Sequence, residues 1–228
     1  MRLLKRLFVA IKHGDLHQMK AILKKNPALI NCTAKHPPKK DDGQSPLQVA
    51  IKTGNFKIAD YLIDAGADVN FIESESCNEW KMPVIQDAIR ATIMSSRFLT
   101  FTYKNGEKAW EPYNTKEQFN AAFNLLKKII EAGADIHSYD SYGNSCLGRA
   151  VLDAKQVIPA GVQDPKDKRP LNNELKEDLT VVFRLLFKSG ANINEVHTDR
   201  EKSKIILHSF YKIEELILNN PEDQAGHI

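Results

Sequence analysis

A chain of 228 residues, 42% apolar and 27% charged, has the composition of a folded globular protein rather than a disordered one, and it lacks the roughly 18-residue apolar run of a membrane span. A formal net charge of +3 is too small to argue for nucleic acid. Three cysteines at unrelated positions, Cys32, Cys77 and Cys146, exclude a paired disulfide framework and suit reduced thiols in a cytosol-like compartment.

In chain order, the N-terminal apolar run is broken by Lys5-Arg6, and Lys12-His13-Gly14 stands where a secretory cleavage site would. It therefore predicts an amphipathic helix. Met19, Ile22 and Leu23 stripe a second helix, and Ala28-Leu29-Ile30-Asn31 closes a first unit over residues 3–31. Its charged side (Lys5, Arg6, Lys12, Lys20, Lys24, Lys25) suits the end of a stack, over which nothing packs. Residues 32–41 form a finger-like connection. A sharper unit spans 42–70: Ser45-Pro46 is an N-cap followed by proline at the first helical position, and Leu47, Ala50 and Ile51 share a face. Gly54-Asn55 ends that helix, and a second with Ile58, Leu62 and Ile63 runs to Asp64. A second finger, 71–81, precedes a helix near 83–91. Between Thr92 and Thr115, a β-rich run Arg97–Tyr103 followed by Lys104-Asn105-Gly106 predicts a hairpin. Its aromatics (Phe98, Phe101, Tyr103, Trp110) are expected to bury one another. A helix over about 116–132 turns Phe119, Phe123, Leu126, Ile129 and Ile130 inward. After residue 140 come a helix, a proline- and charge-rich loop over about 153–173, and a helix over 174–189 with Leu179, Val182, Leu186 and Phe187 inward. A terminal helix pair over 198–220 and a flexible tail over 221–228 complete the chain.

Short helix pairs of this length cannot bury their stripes alone and need copies on either side. The copies are visible. Gly66-Ala67-Asp68-Val69-Asn70 recurs as Gly133-Ala134-Asp135-Ile136-His137 and as Gly190-Ala191-Asn192-Ile193-Asn194. The opening Gly43-Gln44-Ser45-Pro46-Leu47 with Ala50 recurs as Gly143-Asn144-Ser145-Cys146-Leu147 with Ala150, and more loosely as Pro83-Val84-Ile85 with Ala88. This pattern resembles the ankyrin repeat, which opens G-x-T-P-L-H-x-A and ends L-L-x-x-G-A-D-V-N; Gln48 stands where the family usually has His. The resemblance implies an all-α solenoid of about five stacked helix pairs: 3–31, 42–70, 78–137, 140–194 and 198–220. Three are central and the outer two are degenerate caps, in a single domain over 1–220. Ala50 to Asn70 is 20 residues, whereas Ala88 to His137 is 49 and Ala150 to Asn194 is 44. The third and fourth units thus carry long inserts between their helices. Without its insert, the step from Ala88 to Ala150 returns to about 33 residues, the family period.

Catalytic signals are weak. The histidines are scattered, Cys32 and His36 have no second Cys/His pair, and Gly43, Gly66, Gly133, Gly143 and Gly190 all serve turns and helix ends instead of a phosphate loop. No catalytic residue, cofactor or metal is expected. The resemblance implies instead a non-enzymatic module that binds a partner protein through its fingers and first helices. The equivalent positions are Asp41, Asp42, Gln44, Lys52 and Thr53; Glu79, Trp80, Met82 and Arg90; and Ser141, Tyr142 and Asn144. Trp80 and Tyr142 are the notable ones: exposed aromatics on a rigid platform make good interface anchors, and the alternative is that each packs on the neighbouring finger. The inserts offer a second binding edge. The expected protein is a monomer in a cytosol; the alternatives are a microbial effector acting on a host protein and, less favoured, an enzyme built from the inserts. Nucleic-acid binding through Lys5, Arg6, Lys35, Lys39 and Lys40 would show a steep loss of affinity with salt.

Overall fold

The computed structural model describes residues 2–35, 38–104, 106–159, 169–192, 195, 208–209 and 211–215. Most of the terminal pair, the tail and residues 160–168 of the second insert lie outside them. The elements are α1 (Arg2–Lys12), α2 (Leu16–Lys25), α3 (Pro46–Lys52), α4 (Phe56–Asp64), α5 (Val84–Met94), β1 (Leu99–Lys104), β2 (Glu107–Pro112), α6 (Lys116–Glu131), α7 (Cys146–Val157) and α8 (Asn173–Lys188). Consecutive helices pair as α1/α2, α3/α4, α5/α6 and α7/α8, while α1, α3, α5 and α7 touch in succession. In the second row α4 touches α6 and α6 touches α8. This is a helical-repeat solenoid, with one apolar core running through both rows: Ile11, Met19, Leu47, Leu62, Ile89, Leu126 and Phe183 are all buried.

Local chemistry sets the helix ends. Ser45 Oγ accepts from the Gln48 backbone N–H at 3.2 Å, while the Gln48 side chain accepts from Ser45 N–H at 3.1 Å, a reciprocal capping box. Thr115 and Gln118 repeat it at the start of α6. The recurrent endings close alike: Gly66 and Ala67 N–H donate to Ile63 and Leu62 carbonyls, Gly133 and Ala134 to Ile130 and Ile129, Gly190 and Ala191 to Phe187 and Leu186.

Each unit is then clamped to the next by one amide. Asn31 Oδ1 accepts from Asp68 N–H at 2.9 Å, and one unit on, Asn70 Oδ1 accepts from Asp135 N–H at 2.8 Å. At the third joint His137 takes over, its Nδ1 in hydrogen-bond contact with Glu195 Oε1. A parallel series runs under the fingers. Gln48 Nε2 donates to Met82 O at 2.8 Å, and Gln86, its counterpart two residues before Ala88, donates to Asn144 O at 2.8 Å. Buried backbone carbonyls need such partners, and here a side chain from the preceding unit supplies them.

The fingers approach closely. A Cβ added at Gly43, whose φ is +77°, would meet Glu75 O at 2.6 Å, a contact backbone atoms cannot relax away. Gly43→Ala is therefore expected to lower unfolding free energy by about 1–3 kcal/mol, from left-handed strain and the clash together. Urea denaturation measures it; a loss as small as that at Gly54→Ala, where a Cβ meets nothing within 4 Å, would contradict the close approach.

Between α5 and α6, β1 and β2 form an antiparallel hairpin with Phe101 opposite Trp110. Asn114 Nδ2 pins its base by donating to Met94 O and Ser96 O, both at 2.9 Å. Several expectations need correction. The hairpin aromatics touch edge to face but do not bury one another: Phe101, Tyr103 and Trp110 are 53%, 65% and 41% exposed. A two-stranded ribbon is one layer thick, so residues on its face shield one another only at their edges. The helices also run further into the expected inserts, α5 to Met94 and α7 to Val157, because Ile93, Ala154 and Val157 extend the buried stripe. In α8 the core residue is Phe183, four after Leu179, and Phe187 is 37% exposed. Lys12 is not free on an outer face but pairs with Asp41 of the first finger.

Candidate interaction surface

Two residues after Ala10, Ala50 and Ala88 stand Lys12, Lys52 and Arg90, one basic side chain per successive first helix. Equivalent repeat positions point the same way, so these three form a column beside the fingers. Lys12 pairs with Asp41, Lys52 is exposed at the end of α3, and Arg90 reaches Asp153 on α7.

The most developed part of this surface lies where the second and third fingers meet α5 and α7. Asp153 is fully buried and accepts from Arg149 twice, Nε at 2.8 Å and Nη2 at 2.7 Å, and from Arg90 Nη1. Burial raises the Asp153 carboxyl pKa, opposed by the two guanidiniums. The Trp80 ring stands over both cations, 5.9 Å from Arg90 Cζ and 5.2 Å from Arg149 Cζ. Its indole N–H donates to Asp140 Oδ2 at 3.0 Å, and Tyr142 lies with its ring centroid 6.4 Å away. Asp140 is itself held by Tyr142 N–H and Asn144 N–H at 2.9 Å and by Asn144 Nδ2 at 2.8 Å, an Asx-type turn that fixes the finger. Ser141 ties the two fingers together, accepting from Lys81 N–H and donating to Glu79 O, both at 2.9 Å.

Two guanidinium nitrogens on one oxygen are roughly 5 Å apart or less, and at an effective dielectric of 20 their charges repel by about 3 kcal/mol. The Asp153 carboxylate lies closer to each cation than they lie to one another, so its two attractions outweigh that repulsion.

The twelve sequence-predicted positions separate into two groups. Lys52, Thr53, Glu79, Ser141 and Tyr142 are exposed, and Asp42, Trp80 and Arg90 half-buried. Asp41, Gln44, Met82 and Asn144, expected on the outer surface, are buried at 7%, 2%, 5% and 8% exposure. All four are engaged internally. Asp41 takes Lys12, Gln44 Nε2 donates to Glu73 Oε1 at 3.0 Å, Met82 O takes Gln48, and Asn144 braces Asp140. They support the face from beneath. Asp42 links the first two fingers, its carboxylate accepting from Cys77 N–H at 2.9 Å.

Sequence reasoning missed Arg149, Asp153 and Asp140. Arg149 stands one residue before Ala150, where α1 and α3 have Val9 and Val49 but α5 has Asp87, so a charged residue there was only a weak signal.

The thiols are unsuited to nucleophilic chemistry. Burial pushes Cys32 up to about 11 and Cys146 up to about 12, and the exposed Cys77 is raised as well, with the Asp42 carboxylate beside it. No group of three metal-ligating side chains occurs among the described residues.

The class that fold and surface define is a helical-repeat protein with a finger-and-helix face. Residues 5–76, about a third of the chain, match the family model described as ankyrin repeats (3 copies). Ankyrin repeats are generally protein–protein interaction modules. No curated protein matches the chain. No described helix is long and apolar enough to cross a membrane.

Proposed function

We propose that this chain is a non-enzymatic adaptor that grips a partner protein on the face formed by its fingers and first helices. The observation that carries the reading is the Trp80 platform: an aromatic ring backed by two arginines, braced by Asp140 and flanked by exposed Tyr142, Ser141 and Glu79. Interfaces concentrate their energy on aromatic and arginine anchors held rigidly before binding. The finger-to-finger hydrogen bonds supply that rigidity. The repeat array is taken as five helix pairs in one domain over 1–220, working as a monomer, with its free cysteines suited to a reducing cytosol.

The reading is tested by placing a photo-crosslinking amino acid at Thr53 or Glu79 on this face, or at Lys57 on the opposite row, in cells producing the chain. Covalent partner adducts are expected from the first two sites and not from Lys57. Adducts from Lys57 alone, or from none of the three, overturn it.

A further inference from the structure

Beside Trp80 lie guanidinium N–H groups that the residues around them leave unused. Arg90 and Arg149 share the single Asp153 carboxylate. Asp140, the next acid, is occupied by the Trp80 indole and by three N–H donors of its own turn and accepts from neither guanidinium. Among the described residues no acceptor takes Arg90 Nε or Nη2, or Arg149 Nη1. The Arg90 side chain is 34% exposed, so part of it is open at the surface beside the ring.

A guanidinium with an unused N–H edge matches a carboxylate, which takes two parallel hydrogen bonds from it. The adjacent faces of Trp80 and Tyr142 offer apolar area for the methylenes of the same side chain or its neighbour. We infer that the Arg90–Arg149 pair beneath Trp80 is a recognition site for an aspartate or glutamate side chain within a partner polypeptide. The inference rests on the proposed binding face and names the partner chemistry that face selects. A planar carboxylate on the free guanidinium edge beside the ring would take up the unused N–H groups, and the buried pair beneath would hold the edge in place before the partner arrives.

The test uses the full chain with Trp110→Phe, which leaves Trp80 as its one tryptophan reporter. A phage-displayed library of random twelve-residue peptides is panned on this protein, and the enriched sequences are made with acetylated N-termini and amidated C-termini. The expected result is that they share an Asp or Glu, that binding changes Trp80 emission, and that replacing this acid by its amide weakens binding by roughly tenfold to a hundredfold. Arg90→Gln, which leaves Arg149 bidentate on Asp153 and so preserves the fold, is expected to cost the same factor. Arg90→Lys, which keeps charge without the planar fork, should recover only part of it. Lys57→Gln removes equal charge from the opposite row and should change little. Enriched peptides that bind this face without an acid, or that bind Arg90→Gln and Lys57→Gln alike, overturn this inference and leave the binding face standing. No enrichment, or binding that never alters Trp80 emission, overturns both.

Discussion

Arg97→Ala is expected to lower the free energy of unfolding by about 3–5 kcal/mol, the cost of stranding a buried carboxylate. Arg97 stands three residues after the end of α5 and meets Asp178 on α8 through three donors. Its backbone N–H lies at 2.9 Å from Oδ2, Nε at 3.0 Å from Oδ2, and Nη2 at 2.7 Å from Oδ1. The Asp178 side chain is only 3% exposed, and Arg97's only 12%. Asn172 Nδ2 closes the joint by donating to Arg97 O at 2.9 Å, and the paired acids hold the Arg97 pKa above its ordinary value. With alanine at 97, Asp178 keeps one backbone donor in a site closed to water. Glu177 also contacts Arg97 but is 65% exposed, so Glu177→Ala should cost under about 1 kcal/mol. Arg97→Lys keeps the charge without the fork and should fall between the two. Urea denaturation of the three variants is the measurement. A loss below about 1 kcal/mol for Arg97→Ala would mean that water already reaches the pair. The joint also ties the base of the hairpin to the last described helix, so faster amide exchange in α8 is expected to accompany the loss.

What was legible in the chain beforehand was the part written locally. Ser45-Pro46 with Gln48 three residues on marks a helix start, and the recurrent Gly-Ala endings mark helix stops; both operate within five residues, so they survive any tertiary context. The inter-unit clamps at Asn31 and Asn70 follow from the same recurrence once the units are stacked. Arg97 and Asp178, or Trp80 and Arg149, are separated by scores of residues, and nothing in their local sequence marks them as partners. Burial within a finger was equally opaque. Met82 and Gln44 belong to loops by pattern, yet each stands two residues before a helix start, where the chain dips between units and its polar atoms are taken up by the neighbour. In α8 both Phe183 and Phe187 fit an apolar stripe of helical period, and only the position of α7 decides which one faces inward. The binding chemistry was the least readable of all. A solenoid constrains its buried positions and leaves the face free, so Arg149 acquires meaning only beside Trp80.

Asp87→Asn is expected to make the protein more stable above neutral pH, by an amount that grows from near zero at about pH 4 to about 4 kcal/mol above pH 7. Asp87 sits on α5 at 2% exposure, with Oδ2 accepting from Gln48 Nε2 at 3.1 Å and Oδ1 without a hydrogen-bond partner. Burial pushes its carboxyl from the ordinary range near 4 up to about 7; Lys52 and the Gln48 amide pull it down, and buried Glu73 adds to the rise. The sign follows from proton counting. Between about pH 4 and pH 7 the folded chain keeps the Asp87 proton while the unfolded chain has released it, so the native state binds more protons and stability falls as pH rises. Above pH 7 both states are ionised, and the penalty for burying the charge stays constant. Asparagine presents the same outline and can still accept from Gln48, but it has no proton to lose. The variant-minus-parent difference isolates this one group from the paired carboxylates, whose contributions run in the opposite direction. Urea unfolding at pH 4.5, 6 and 8 measures it: the difference should climb across the three. A difference that stays level would show that Asp87 is already ionised at the lowest of these pH values, with Lys52 and Arg90 outweighing its burial.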